Sequence, residues 1–162
     1  MTRSLAFSAL VLFASLTLAP RRALAADPDT AGMERLFQSL EKAIRDAQEP
    51  PFKKGWHPEG YAKNLVGGSG LPGAAVFKQG TRKQWYLKPD LKAFKTTGRG
   101  APYLVPCDIW SWKQSKAVDH VWAALIYQGR AWVILGAGEK LEEVEALAKR
   151  YQAKKPLAAP AK

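Results

Sequence analysis

Hydrophobic positions recur with a helical period near the start of the chain and again near its end. Over residues 30–48 the apolar side chains lie three or four positions apart, which is the spacing that lines one face of an α-helix. Asp29 or Thr30 is suited to cap this helix, and the Pro-Pro pair at 50–51 marks its end. A second apolar stripe of the same period occupies residues 138–151. We therefore predict an amphipathic helix on each side of the central region.

Between these helices the pattern changes. Residues 50–73 are expected to be mainly loop, with room for a short helix near 58–65. Extended runs then predict four or five strands, at residues 74–78, 83–88, 102–113, 119–127 and 130–135. The third run is expected to break near Pro106. Residues 119–127 are apolar on both alternating sets, which is typical of a strand covered on both faces, and we assign Trp122 and Trp132 to the core.

This order of elements predicts the fold class. Short connections between strands favour antiparallel pairing, because parallel strands need long crossovers. We therefore predict an α+β fold, in which an antiparallel sheet of four to five strands is flanked by an N-terminal and a C-terminal amphipathic helix.

The first 25 residues have the parts of an export signal. Arg3 provides a positive start, residues 4–20 carry no charge, and Ala-Leu-Ala at 23–25 fits the small-x-small cleavage rule. The Arg-Arg pair at 21–22 leaves an uncleaved anchor as the alternative, since positive charge there opposes translocation. We predict a periplasmic or secreted protein with a cleavable signal peptide at 1–25, a single α+β domain at 26–153 and a flexible basic tail at 154–162.

Positive charge is concentrated in the middle of the chain. The sequence has 25 Lys and Arg against 14 Asp and Glu, a formal net charge of +11, and residues 53–116 contain 12 of the bases but 3 of the acids. Such asymmetry favours an anionic partner, and an aromatic face beside Lys or Arg suits an anionic or sugar-like ligand. The predicted ligand-binding residues are Lys78, Arg82, Lys83, Trp85, Tyr86, Lys88, Lys92, Lys95 and Arg99.

Patterns for catalysis and metal binding are incomplete. A single cysteine excludes an intramolecular disulfide and any multi-cysteine zinc site, and Cys107 begins an apolar extended run in which burial is expected. Asp119 and His120 are neighbours on a predicted strand, so their side chains point to opposite faces and do not easily serve one metal. We predict no catalytic residues, no metal site and no cofactor, and we favour a protein that is not an enzyme.

The favoured functional hypothesis is an exported, non-catalytic envelope protein that binds an anionic glycan, lipid headgroup or acidic protein surface. Export argues against nucleic acid as the physiological partner, and no second apolar stretch is long enough to span a membrane. One alternative is a small-ligand or enzymatic pocket between sheet and helices. That pocket would be lined by Trp110, Trp112 and Tyr103, with His57, Asp108 and His120 converging on it. The other alternative is an assembly partner with an exposed apolar patch; the sequence leaves the oligomeric state open.

Overall fold

The computed structural model describes residues 29–62, 70–96 and 100–154, with the backbone but not the side chains of residues 81–83. The predicted signal at 1–25 and residues 155–162 of the predicted tail lie outside the described residues, while Lys154, where that tail was expected to begin, is the last residue of a helix. The elements follow the order α1 (Thr30–Arg45), α2 (Glu49–Lys54), α3 (Pro58–Ala62), α4 (Gly73–Lys83), β1 (Trp85–Pro89), β2 (Lys95–Thr96), β3 (Tyr103–Ser111), β4 (Lys116–Gln128), β5 (Ala131–Gly138) and α5 (Leu141–Lys154).

The strands form one antiparallel sheet in the order β1-β3-β4-β5, curled as a half-barrel. The two-residue strand β2 pairs with residues 103–104 of β3, beyond the point where β1 pairs with residues 107–111. Helices lie on both sides of the sheet, so the predicted α+β class is confirmed. Within the described ranges, no helix is long and apolar enough to cross a membrane.

Each face of the sheet has its own core. The face that packs against α1 to α4, here called the α1 face, includes Val105, Val121 and Leu125. The opposite face, here called the α5 face, packs Leu104 and Ala124 against apolar side chains of α5. Residues 121–126 of β4 therefore alternate between the two cores, whereas residues 119, 120 and 127 of the predicted covered strand are exposed. Trp132 is buried in the core of the α1 face, whereas Trp122 is only half-buried on the α5 face, so its assignment to the core is wrong.

The helix α1 forms where its apolar stripe predicts it. Six of its side chains are buried, namely Met33, Leu36, Phe37, Leu40, Ala43 and Ile44. Asp29 caps the helix, because Gly32 N donates a hydrogen bond to Asp29 Oδ1 at 2.8 Å. The helix ends at Arg45, and Ala47 takes a left-handed conformation with φ of 51°.

The Pro-Pro pair begins a second helix instead of a loop. Pro50 and Pro51 occupy the first turn of α2. Proline is tolerated there because the first N–H groups of a helix have no intrahelical acceptor. Phe52 follows in the same turn and is fully buried against the rings of Trp56 and Phe77. The prediction of a mainly irregular segment is therefore wrong for residues 50–54.

The predicted strand at residues 74–78 is also wrong, since these residues belong to α4. A short apolar run fits a strand or a helix equally well until its packing is known. Here Val76, Phe77 and Gly80 are buried, at the spacing of one helical face. Gly80 lies so close to α1 that a Cβ atom would be 3.0 Å from Ile44 Cγ2. Gly80 is therefore a point of close contact between α4 and α1.

The strand β3 continues through Pro106, where a break was predicted. In an antiparallel strand the N and O atoms of one residue point to the same neighbour. Pro106 O accepts a hydrogen bond from Asp90 N at 2.8 Å, so its nitrogen faces the interval between the end of β1 at Pro89 and the start of β2 at Lys95. The bond that its missing N–H cannot make is the return bond to Asp90 O, which lies just beyond the end of β1.

The edge strand β5 is covered by a segment from early in the chain. His57 N donates to Ile134 O and Ile134 N donates to Gly55 O, each at 2.8 Å. Leu71 N donates to Ala137 O further along the same edge. These bonds satisfy backbone groups that an exposed edge strand would leave open to another chain.

Candidate functional site

Part of the α5 face carries polar and aromatic side chains instead of an apolar core. Because side chains alternate along a strand, Asp108 and Trp110 of β3 project to the same face as Leu104, while His120 and Trp122 of β4 project with Ala124. The pairing register places Lys88 of β1 opposite Asp108 and Lys95 of β2 opposite Leu104. We call this group the Lys–Trp patch, and its members are Lys88, Lys95, Asp108, Trp110, His120 and Trp122.

Each lysine of the patch lies over an indole ring. Lys88 Nζ is 3.9 Å from the centroid of the Trp110 ring, and Lys95 Nζ is 5.2 Å from that of Trp122. The negative face of an indole attracts an ammonium group, most strongly at short range. The contacts therefore favour defined positions for two positive charges above the sheet. An ammonium group has three donors, so those not directed at the ring stay available to an anion.

An aspartate and a histidine meet in the same patch. His120 Nδ1 lies 2.7 Å from Asp108 Oδ1, across the pairing of β3 with β4. The side chain of His120 is 79% exposed and that of Asp108 is 37% exposed. The contact orients the imidazole ring and leaves its other nitrogen toward solvent. Together with Lys88, Pro106 and Trp122, the pair lines an open groove of about 420 Å³.

The structure separates the predicted ligand-binding residues into several places. Lys88 and Lys95 belong to the Lys–Trp patch, Lys92 is exposed between β1 and β2, and Lys78 is exposed on α4. Lys92 N donates to Asp90 Oδ1 at 3.0 Å. The side chains of Arg82 and Lys83 and the whole of Arg99 lie outside the described part of the chain.

The aromatic residues predicted to accompany these bases have other neighbours. Trp85 and Tyr86 are half-buried, and the Tyr86 ring stacks on Trp112 with centroids 5.0 Å apart. Burial is the main reason that the pKa of Tyr86 is raised. The rings beside the lysines are instead Trp110 and Trp122. Their signal in the sequence is a shared spacing, since an acid or histidine precedes each tryptophan by two positions, in Asp108-Ile109-Trp110 and His120-Val121-Trp122.

The structure brings the side chains of the alternative pocket together only in part. Three of its six predicted members, Asp108, Trp110 and His120, lie in the Lys–Trp patch, where Asp108 contacts His120. Tyr103 projects to the α1 face, where its ring lies edge-on to Trp132 at 5.4 Å. The ring of His57 packs edge-on against Tyr151 of α5 at 5.9 Å. In the described ranges, no three His, Cys, Asp or Glu side chains are grouped so that they could hold a metal ion.

Cys107 is expected to resist thiol reagents while the protein is folded. Its side chain is on the α1 face and 3% exposed, and burial raises the pKa of the thiol well above its usual value. The thiolate is the reactive form, so both its access and its population are low. Reaction with an aromatic disulfide that releases a coloured thiolate at pH 8 measures this. Labelling should be negligible for the folded protein in buffer and complete in denaturant. Rapid labelling of the folded protein would contradict this expectation.

Comparison of the chain with protein-family models, with curated proteins and with solved structures finds no match in any of the three.

Proposed function

We propose that the protein is an exported, non-catalytic envelope protein that binds an anionic glycan through the Lys–Trp patch. The observation that carries this proposal is the pair of lysine–indole contacts on the open part of the α5 face. Binding costs less when the charged groups of a site are already positioned in the free protein. The indole contacts serve that purpose for Lys88 and Lys95.

The groups between the two lysines favour a glycan among anionic partners. A sugar presents hydroxyl groups that both donate and accept hydrogen bonds, and the Asp108–His120 pair offers acceptors and donors side by side. The half-buried rings of Trp110 and Trp122 add apolar surface beside the charges. A carboxylate or phosphate on the same polymer would then meet the ammonium groups.

A lipid surface is less well supported by the described surface. Helices that lie on membranes present several large apolar side chains together. Among the described residues, Tyr127 is the exposed large hydrophobic side chain, and it lies at the end of β4, outside the patch. An acidic protein would be expected to meet a larger apolar interface core than the two half-buried rings of the patch provide.

Retention on immobilised polysaccharides tests the proposal. The protein should bind polygalacturonate at about 20 mM NaCl and lose at least about tenfold in affinity by about 500 mM, because salt screens exposed charges. It should pass unretained through neutral dextran. Absence of binding to polygalacturonate at low salt, or equal retention on dextran, would overturn the proposal.

A further inference from the structure

A second groove lies between the start of α1, α2 and the hairpin that joins β4 to β5. Its volume is about 460 Å³. The basic side chains of Arg35, Lys54 and Arg130 line it, together with the rings of Tyr127 and Trp132. None of these residues belongs to the Lys–Trp patch. The groove therefore has its own charge and its own aromatic wall.

The side chains that line this groove have a positive net charge. Asp29 is the acidic residue in its lining, and this carboxylate already accepts a hydrogen bond from Gly32 N at the start of α1. It also lies 3.8 Å from Arg35 in an exposed ion pair. Lys54 and Arg130 have no ion-pair partner among the described residues. Three bases against one acid leave a charge of +2, which matches a dianion.

Arg130 is held in a backbone conformation that arginine rarely adopts. The hairpin loop consists of Gly129 and Arg130, with φ of 59° and 70°. Two successive residues with positive φ form the tight turn that suits the twist of a hairpin, and glycine or asparagine is preferred there. A strained residue at a cavity is a reason to look for a function. Here the strained residue supplies a guanidinium group to the groove.

The aromatic wall provides a surface for a ring. Tyr127 is 61% exposed, and its ring lies edge-on to Trp132 with centroids 5.4 Å apart. The indole N–H of Trp132 is buried and donates to no acceptor in the described part of the chain. Because Trp132 lines the groove, its indole resonance reports on a ligand that packs against this wall.

We propose that this groove binds a phosphate monoester carried on a ring. The phosphate has a charge of about −1.5 to −2 at pH 7, and guanidinium groups match its oxygens with paired donors. The ring would lie against Tyr127. The ring can be aromatic or a sugar, since both present an apolar face to tyrosine. This inference is independent of the proposed glycan binding, because it concerns a different surface and a different ligand.

Titration of the ¹⁵N-labelled protein, followed by amide and indole N–H shifts, tests the inference. The probes are phenyl phosphate, glucose 6-phosphate, inorganic phosphate and benzoate. At least one of the two ring phosphates should bind at least about fivefold more tightly than inorganic phosphate and benzoate do. Its binding should shift the Trp132 indole resonance. The two ring probes distinguish an aromatic source from a sugar source. Equal binding of all anions, or no shifts in the groove with either ring phosphate, would overturn the inference.

Variants of the groove make the test specific. Arg130→Gly removes the guanidinium group and places glycine where positive φ is favourable, so the melting temperature should stay the same or rise while the Kd of the ring phosphate increases about fivefold. Lys54→Gln should weaken binding in the same direction. Lys149→Gln, on the exposed surface of α5, is the matched control and should leave the Kd unchanged. Unchanged binding by both groove variants would overturn the inference.

Discussion

Replacing Phe52 with alanine is expected to lower the free energy of unfolding by about 3–5 kcal/mol, the usual cost of truncating a fully buried aromatic side chain. Phe52 is 0% exposed, and its ring contacts those of Trp56, Tyr61 and Phe77 at centroid distances of 5.9, 6.4 and 5.0 Å. It joins the short helices α2 and α3 to α4. Neither α2, with six residues, nor α3, with five, is long enough to be stable without such contacts.

Urea denaturation followed by tryptophan fluorescence measures this effect. Phe52→Leu is the matched control, because it keeps most of the apolar volume and should cost less than about 1.5 kcal/mol. The difference between the two variants then reports the cost of the space that leucine fills and alanine leaves empty. A loss below about 1 kcal/mol for Phe52→Ala would show that Phe52 does not organise this layer of helices.

The double substitution Lys88→Gln and Lys95→Gln is expected to weaken binding to polygalacturonate about tenfold, or ~1.4 kcal/mol. The size follows from two exposed charges, each of which contributes ~0.2–1 kcal/mol to a pairing in solvent. Stability should change little, because both side chains are exposed. Binding is measured by the same chromatography at low salt, with thermal unfolding as a check on folding.

A second double variant separates the Lys–Trp patch from net charge. A basic protein binds polyanions to some extent through its overall field alone. Lys113→Gln with Lys149→Gln also removes two positive charges, but from exposed positions outside the patch. This control should lose less than about twofold in affinity. Equal losses in both double variants would show that binding depends on total charge and would contradict a localised site.

The parts of the fold that could be predicted are those whose signals are local. The stripe of α1 repeats over about three turns, and the capping aspartate directly precedes the helix. The strand β4 is apolar on both faces over six consecutive residues, which no exposed strand requires. The helix α4 has no comparable signal. Its four residues Ala-Ala-Val-Phe fit two structures, and contacts with Phe52 and Ile44, remote in sequence, decide for the helix.

The candidate site could also be predicted only as far as its signals are local in the sequence. The basic segment is visible in the sequence, and Lys88 and Lys95 are among its predicted ligand-binding residues. Which ring each lysine meets depends on the register that places Lys88 opposite Asp108, and no local pattern sets that register. Trp122 was assigned to the core on the apolar pattern around it. The helix α5 packs over Ala124 and Leu135 on that face. Trp122 lies to one side of this contact and stays partly exposed.

The hydrogen bonds that join Gly55 and His57 to Ile134 have a consequence for the folding rate. They connect positions roughly eighty residues apart, and contacts at such separation are slow to form because a long loop must first close. The first helices are synthesised well before the strand that receives them. We therefore expect closure of the β5 edge to be among the last steps of folding, and the growing chain to hold apolar helix faces unburied until then.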